Sequence, residues 1–86
     1  MIKSFRDLTV YQRAFKTAMD IYWMTRNFPK EEIYSLTSQI VRSSRSISSN
    51  ISEGWAKRNY EQVFKQHLIN SLGSCSETET WLDYAL

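Results

Sequence analysis

The fifteen residues from Ile40 to Gly54 (IVRSSRSISSNISEG) constrain this chain more than any other segment. Six of them are serines, whose hydroxyls compete for backbone hydrogen bonds and make them mediocre helix formers. Yet Ile40, Ile47 and Ile51 recur at the spacing of a single helical face. A helix of this composition depends on tertiary packing, and its small side chains let a neighbouring helix come close. The segment therefore reads as the centre of a helical bundle rather than as a catalytic loop.

Breakers are scarce: two glycines and one proline in 86 residues. An all-β architecture needs many turns, so a few long helices are favoured, in one domain spanning 1–86. The hydrophobic pattern places helices at about 8–28, 36–56 and 60–86, in an all-α, antiparallel up-down bundle. In the first, Leu8, Tyr11, Phe15, Ala18, Tyr22 and Thr25 form a stripe that Ala14, Ile21 and Phe28 widen. Ser4 or Asp7 is expected to cap it and Phe28-Pro29 to end it. The second follows Ser35 with the stripe Leu36, Ile40, Ser43, Ile47, Asn50. Asn59 with Gln62 resembles a capping box for the third, whose stripe is Phe64, Leu68, Ser71, Cys75, Thr78, Leu82, Ala85.

Antiparallel pairing of these stripes predicts a register. Phe15 should face Ser43, Ala18 Ile40, Tyr11 Ile47 and Leu8 Asn50. Between the second and third helices, Ile51 should face Phe64, Ile47 Leu68, Ser44 Ser71 and Ile40 Cys75. The same register brings Gln39 and Arg42 within reach of Glu77.

Residues that could carry chemistry are few. The lone histidine, His67, is off the face of Glu61, and Glu77 and Glu79 split across faces, so no metal site is expected. Cys75 on the predicted buried stripe reads as a small hydrophobe. As the only cysteine it cannot form an internal disulfide, which fits a reducing, cytoplasmic setting. No serine sits in a Gly-x-Ser-x-Gly turn, so neither a catalytic residue nor a cofactor is predicted. No window reaches the roughly 20 apolar residues of a membrane span. Asn50-Ile51-Ser52 fits a glycosylation sequon, which within a helix is a chance match. Gln39, Asn50, Glu53 and Glu77 read as a structural polar core that fixes register, with ligand contact as the minor alternative.

Net charge is only +2, but all 11 Lys and Arg lie within residues 1–65 against six acids, giving +5, while residues 66–86 carry three acids, giving −3. An anionic partner would meet the first two helices. Arg13, Lys16, Arg42, Arg45, Lys57 and Arg58 are the candidate nucleic-acid contacts, with Trp23, Trp55 and Tyr60 as stacking or subunit-contact aromatics.

The chain also resembles the small four-helix bundle proteins of intervening sequences in bacterial 23S ribosomal RNA genes. The matching positions are Phe5, Leu8, Ala14, Phe28-Pro29, Glu32, Leu36, Gln39, Arg42 and Ser46-Ile47. They continue through Asn50-Ile51-Ser52-Glu53-Gly54 and Gly73-Ser74, with Glu77 and Glu79. The resemblance implies a bundle that assembles into a homo-oligomeric ring, commonly a pentamer. Related accessory proteins of diversity-generating retroelements bind nucleic acid and cooperate with a reverse transcriptase. Family members carry a fourth helix, whereas this sequence stops at Leu86, so the resemblance implies a truncated gene or a trimmed piece; either another subunit's helix covers its open groove or the chain is poorly soluble at high concentration. The function expected is a non-enzymatic oligomeric scaffold that binds RNA or DNA through a basic surface. The alternative is a purely structural or protein-interaction module.

Overall fold

In the computed structural model, which describes residues 1–86, the chain is helical almost throughout and has no strand. Three long helices carry it: α1 (Thr9–Thr25), α2 (Ser38–Ala56) and α3 (Glu61–Ala85). They run up, down and up, with α2 packed against both neighbours and only sparse contact between α1 and α3. The 25 residues of α3, at about 1.5 Å each, span most of the 44 Å long axis.

Each helix end has a local cause. Ser4 caps not α1 but a short 3-10 turn, Phe5–Asp7, in a reciprocal capping box with Asp7. Asp7 Oδ2 accepts from the amides of Lys3 (2.7 Å) and Ser4 (3.1 Å). The cap position of α1 itself falls to Leu8, which has no side-chain acceptor; Gln12 reaches back to the Arg6 carbonyl instead. α1 ends at Thr25, three residues before the expected Phe28, because a pre-proline residue avoids helical geometry and the last turn tightens. The amides of Arg26, Asn27 and Phe28 each reach carbonyls three residues back. α2 is extended at its start by a π-helical turn, Ile33–Thr37, which Glu32 caps by accepting from Leu36 N at 3.2 Å. At the α2–α3 turn, the expected Asn59–Gln62 box does not form. Tyr60 takes the cap position, and its amide bonds to Lys57 O at 2.9 Å.

The core is small and half of it is hydroxylic. Thirteen residues are buried; six are apolar (Ala14, Ala18, Ile21, Ile40, Ile47, Ile51) and six are Thr25, Ser43, Ser44, Ser48, Ser71 and Thr78. The buried serines of α2 bond to their own helix: Ser43 Oγ to Ile40 O (3.3 Å), Ser44 Oγ to Val41 O (3.1 Å) and Ser48 Oγ to Arg45 O (3.2 Å). That satisfies each hydroxyl internally, so the side chain can face a neighbour without a desolvation penalty.

Both predicted registers are displaced by about one helical turn. Phe15 is 51% exposed and does not cover the fully buried Ser43. Ala14 is buried instead, clustered with Ile47 and Ile51 and flanked by Leu8, Tyr11 and Cys75. Further along, Tyr22 and Thr25 share a cleft with Val41 and Thr37, one turn past the partners expected. On the other side of α2, Ser71 meets Ile47 rather than Ser44, and Leu68 is left 40% exposed. The physical reason lies in what fits: α3 turns Ser71 and Thr78 toward α2 and leaves Leu68 and Leu72 exposed.

Candidate functional site

The polar residues of α2 and α3 converge on one seam. From one end, His67 Nδ1 lies 3.1 Å from Asn50 Oδ1, and Asn50 Nδ2 donates to Ser46 O (3.0 Å) and Ser46 Oγ (3.1 Å). Ser71 Oγ donates to the Ile47 carbonyl (2.9 Å), and Ser74 Oγ to Ser46 Oγ (2.9 Å). Thr78 Oγ1 lies 2.9 Å from Ser43 Oγ and 2.8 Å from its own helix's Ser74 carbonyl. Gly54 lets α3 approach, since a Cβ there would come within 3.0 Å of His67 Cβ and 3.6 Å of Phe64.

This geometry assigns the His67 tautomer. Lys57 Nζ, which can only donate, sits 3.3 Å from Nε2, so Nε2 accepts and Nδ1 carries the proton given to Asn50. Asn50 thus bonds across the interface, but to His67 on α3 rather than beside Leu8 on α1. The serine crowding of α2 signalled close packing; nothing in its spacing signalled His67 as Asn50's partner.

At the far end of the seam Glu77 is a node. It forms an ion pair with Arg42, whose Nη2 also donates to Gln39 Oε1 at 3.0 Å, and it accepts from Trp81 Nε1 at 3.0 Å. Gln39, Asn50 and Glu77 therefore all bond within or across the α2–α3 pair. Glu53 does not: it is exposed and makes no side-chain bond, so the polar core excludes it.

The six candidate cations occupy different environments. Lys16 is paired with Asp20 at 2.8 Å and Arg42 with Glu77, so both are neutralised locally. Lys57 is engaged with His67, while Arg58 stacks over Trp55 at 4.4 Å and donates to its carbonyl at 2.8 Å. Arg13 is exposed, on the rim of a groove lined by Val10, Ala14, Thr17, Ile47 and Cys75. Arg45 lies over the Tyr22 ring at 5.3 Å. That ring meets Trp23 edge-on at 5.3 Å, and Arg26 lies over Trp23 at 5.8 Å. Arg26 and Tyr22 belong to this cluster although sequence reasoning did not select them as contacts. The i,i+3 spacing of Trp23 and Arg26 was the available signal.

Other chemistry is thinly provided. No three His, Cys, Asp or Glu side chains come together as metal ligands. Burial pushes the Cys75 thiol above its ordinary range, and the nearby Glu79 charge adds to the rise. No helix is long and apolar enough to cross a membrane.

Fold and site together define an all-α helical-layer protein with a hydrogen-bonded internal seam and an arginine–aromatic outer face. The family model of the 23S rRNA-intervening sequence protein matches residues 6–86, and the chain belongs to that family. No curated protein and no solved structure matches it.

Proposed function

We propose that this protein is a non-enzymatic scaffold that self-associates and binds RNA or DNA through the face formed by Tyr22, Trp23, Arg26 and Arg45. The observation that carries this reading is the contiguous pair of edge-on rings, each under an arginine that has no carboxylate partner. A guanidinium stacked on a ring keeps its N–H donors free for phosphate oxygens, and exposed aromatics add sequence-tolerant stacking. Lys57 and Arg58 sit at the opposite end of α2 and Arg13 on a different groove, so they lie outside this face; Lys16 and Arg42 contribute less because each already has a carboxylate partner.

Self-association is supported by apolar area left outside the fold: Val10, Leu68, Ile69 and Leu72 are all exposed, Leu72 at 68%. Such a surface favours contact with a second subunit. A ring of subunits would repeat the arginine–aromatic face and raise its avidity. The pairing of Lys16 and Arg42 within the chain favours the second reading, a purely structural or protein-interaction module.

Salt-dependent binding of a single-stranded oligonucleotide separates the two. Each phosphate contact contributes about 0.7 to the slope of log K against log salt for single strands, so R26Q/R45Q should flatten it by about 1.4. R42Q should flatten it by much less. Equal slopes for wild type and R26Q/R45Q would remove this face from the proposal.

A further inference from the structure

A cleft separate from the basic face opens between the π-helical start of α2 and the C-terminal part of α3. Its volume is about 400 Å³, within the range of small-ligand sites, and Glu32, Ser35, Leu36, Gln39, Trp81 and Tyr84 line it. We propose that this cleft binds an alkyl-ammonium or alkyl-guanidinium cation, with Glu32 as counter-ion and Trp81 and Tyr84 as the aromatic wall.

Three observations support the ligand's chemistry. Trp81 and Tyr84 lie with ring centroids 5.8 Å apart and planes at 39°, forming a bent wall. Aromatic faces of this kind attract cations through the ring quadrupole. Trp81 is held by its indole bond to Glu77, whose charge Arg42 already balances. Trp81 is therefore pre-ordered, with Tyr84 packed beside it, and Glu77 adds no uncompensated charge.

The second observation is Glu32. Its Oε2 accepts from Ser35 Oγ at 2.6 Å and from Leu36 N at 3.2 Å, while Oε1 has no hydrogen-bond partner and no cation pairs with it. Those two bonds hold its carboxyl below the ordinary glutamate range, so it is charged at neutral pH. The third is the absence of any Lys or Arg among the lining residues, which leaves Glu32 as their only ionic group. An anion would meet an unbalanced carboxylate. A cation would meet one free oxygen, two ring faces, and Leu36 for its aliphatic stem.

Such a cation has two sources, a free amine or an arginine or lysine side chain of a protein. The test titrates wild-type protein with agmatine, an acetylated and amidated Gly-Arg-Gly peptide, and uncharged 1-pentanol. The indole N–H signals of Trp23, Trp55 and Trp81 are followed by NMR, with Trp81 assigned by its loss in W81F.

Agmatine should move the Trp81 signal saturably and leave Trp23 and Trp55 in place. E32Q should weaken this at least about tenfold, the equivalent of roughly 1.4 kcal/mol. E61Q, an exposed carboxylate elsewhere, should stay within about twofold of wild type. Tighter binding of the peptide assigns the cleft to a protein side chain; tighter binding of agmatine assigns it to a free amine. The proposal is overturned by pentanol shifting Trp81 as agmatine does, by E32Q binding like wild type, or by no response at about 10 mM agmatine.

Discussion

Thr78 and Ser43 offer the sharpest test of the α2–α3 seam. Thr78 is 4% exposed, and its hydroxyl sits 2.9 Å from that of Ser43, which is fully buried. Replacing Thr78 by valine keeps the shape and deletes the hydroxyl. A typical net hydrogen bond contributes about 1 kcal/mol, and stranding a buried polar partner costs about 1–3 kcal/mol. Ser43 keeps its bond to Ile40 O at a long 3.3 Å, so it is only partly stranded, and T78V should cost about 1–2 kcal/mol. S43A removes the other partner and should cost a similar amount. The double variant should cost hardly more than either single one, because replacing both partners leaves nothing unpaired. Urea unfolding at one fixed protein concentration reads all four free energies, the concentration being held because self-association would shift them. The cycle should close with a coupling of about 1 kcal/mol. Additive single effects, with coupling below about 0.3 kcal/mol, would show that the two hydroxyls do not act as a pair.

The two glycines should respond oppositely to alanine. At Gly54 the new Cβ meets the His67 Cβ, an atom fixed to the α3 backbone, so G54A should destabilise by about 1 kcal/mol or more. G73A meets nothing within 4 Å on an exposed helical turn and should stabilise by about 0.5–1 kcal/mol. Thermal unfolding checks both, and a stabilising G54A would refute the close approach. Cys75, whose thiol is raised by burial and by Glu79, should react with a disulfide reagent at pH 8 more slowly than an unstructured cysteine peptide; equal rates would contradict its packing. Asp7 is lowered by its bonds to the Lys3 and Ser4 amides. Its stabilisation of the first turn is therefore present above the unfolded carboxyl pKa and lost as pH falls through the lower folded value. Hydrogen exchange at those two amides should lose protection in that acid window, and D7A, which removes the acceptor, should lose it at neutral pH.

The helices were legible because their apolar repeats have the helical period, and all three long segments lie where the stripes put them. Register was less legible, for a reason visible on α3. It carries two usable faces: Leu68, Leu72 and Leu82 on one, His67, Ser71, Ser74 and Thr78 on the other, with Cys75 half-buried against the Ala14–Ile47–Ile51 cluster. The hydrophobic pattern merges parts of both into one inward stripe, Leu68, Ser71, Cys75, Thr78 and Leu82, with Leu72 on its flank. The structure turns the small polar face inward, because α2 offers serines, Asn50 and Gly54 as partners. Arg42's link to Glu77 was visible because long side chains tolerate a one-turn error. The His67–Asn50 bond was hidden because it needs the register itself. For the arginine–aromatic face the signal is local: Arg45 stands with Arg42 on one face of α2, whereas Arg26 follows the end of α1, where the stripe gives way to Phe28-Pro29.

The hydroxylic half of the core bears on how stability depends on temperature. Exposing apolar surface raises the heat capacity of unfolding, while exposing polar surface lowers it. A chain whose buried residues are about half serine and threonine has a smaller heat-capacity change than an all-aliphatic bundle of equal length. Its stability curve is then broad and flat: the fold loses little stability for a change of temperature in either direction.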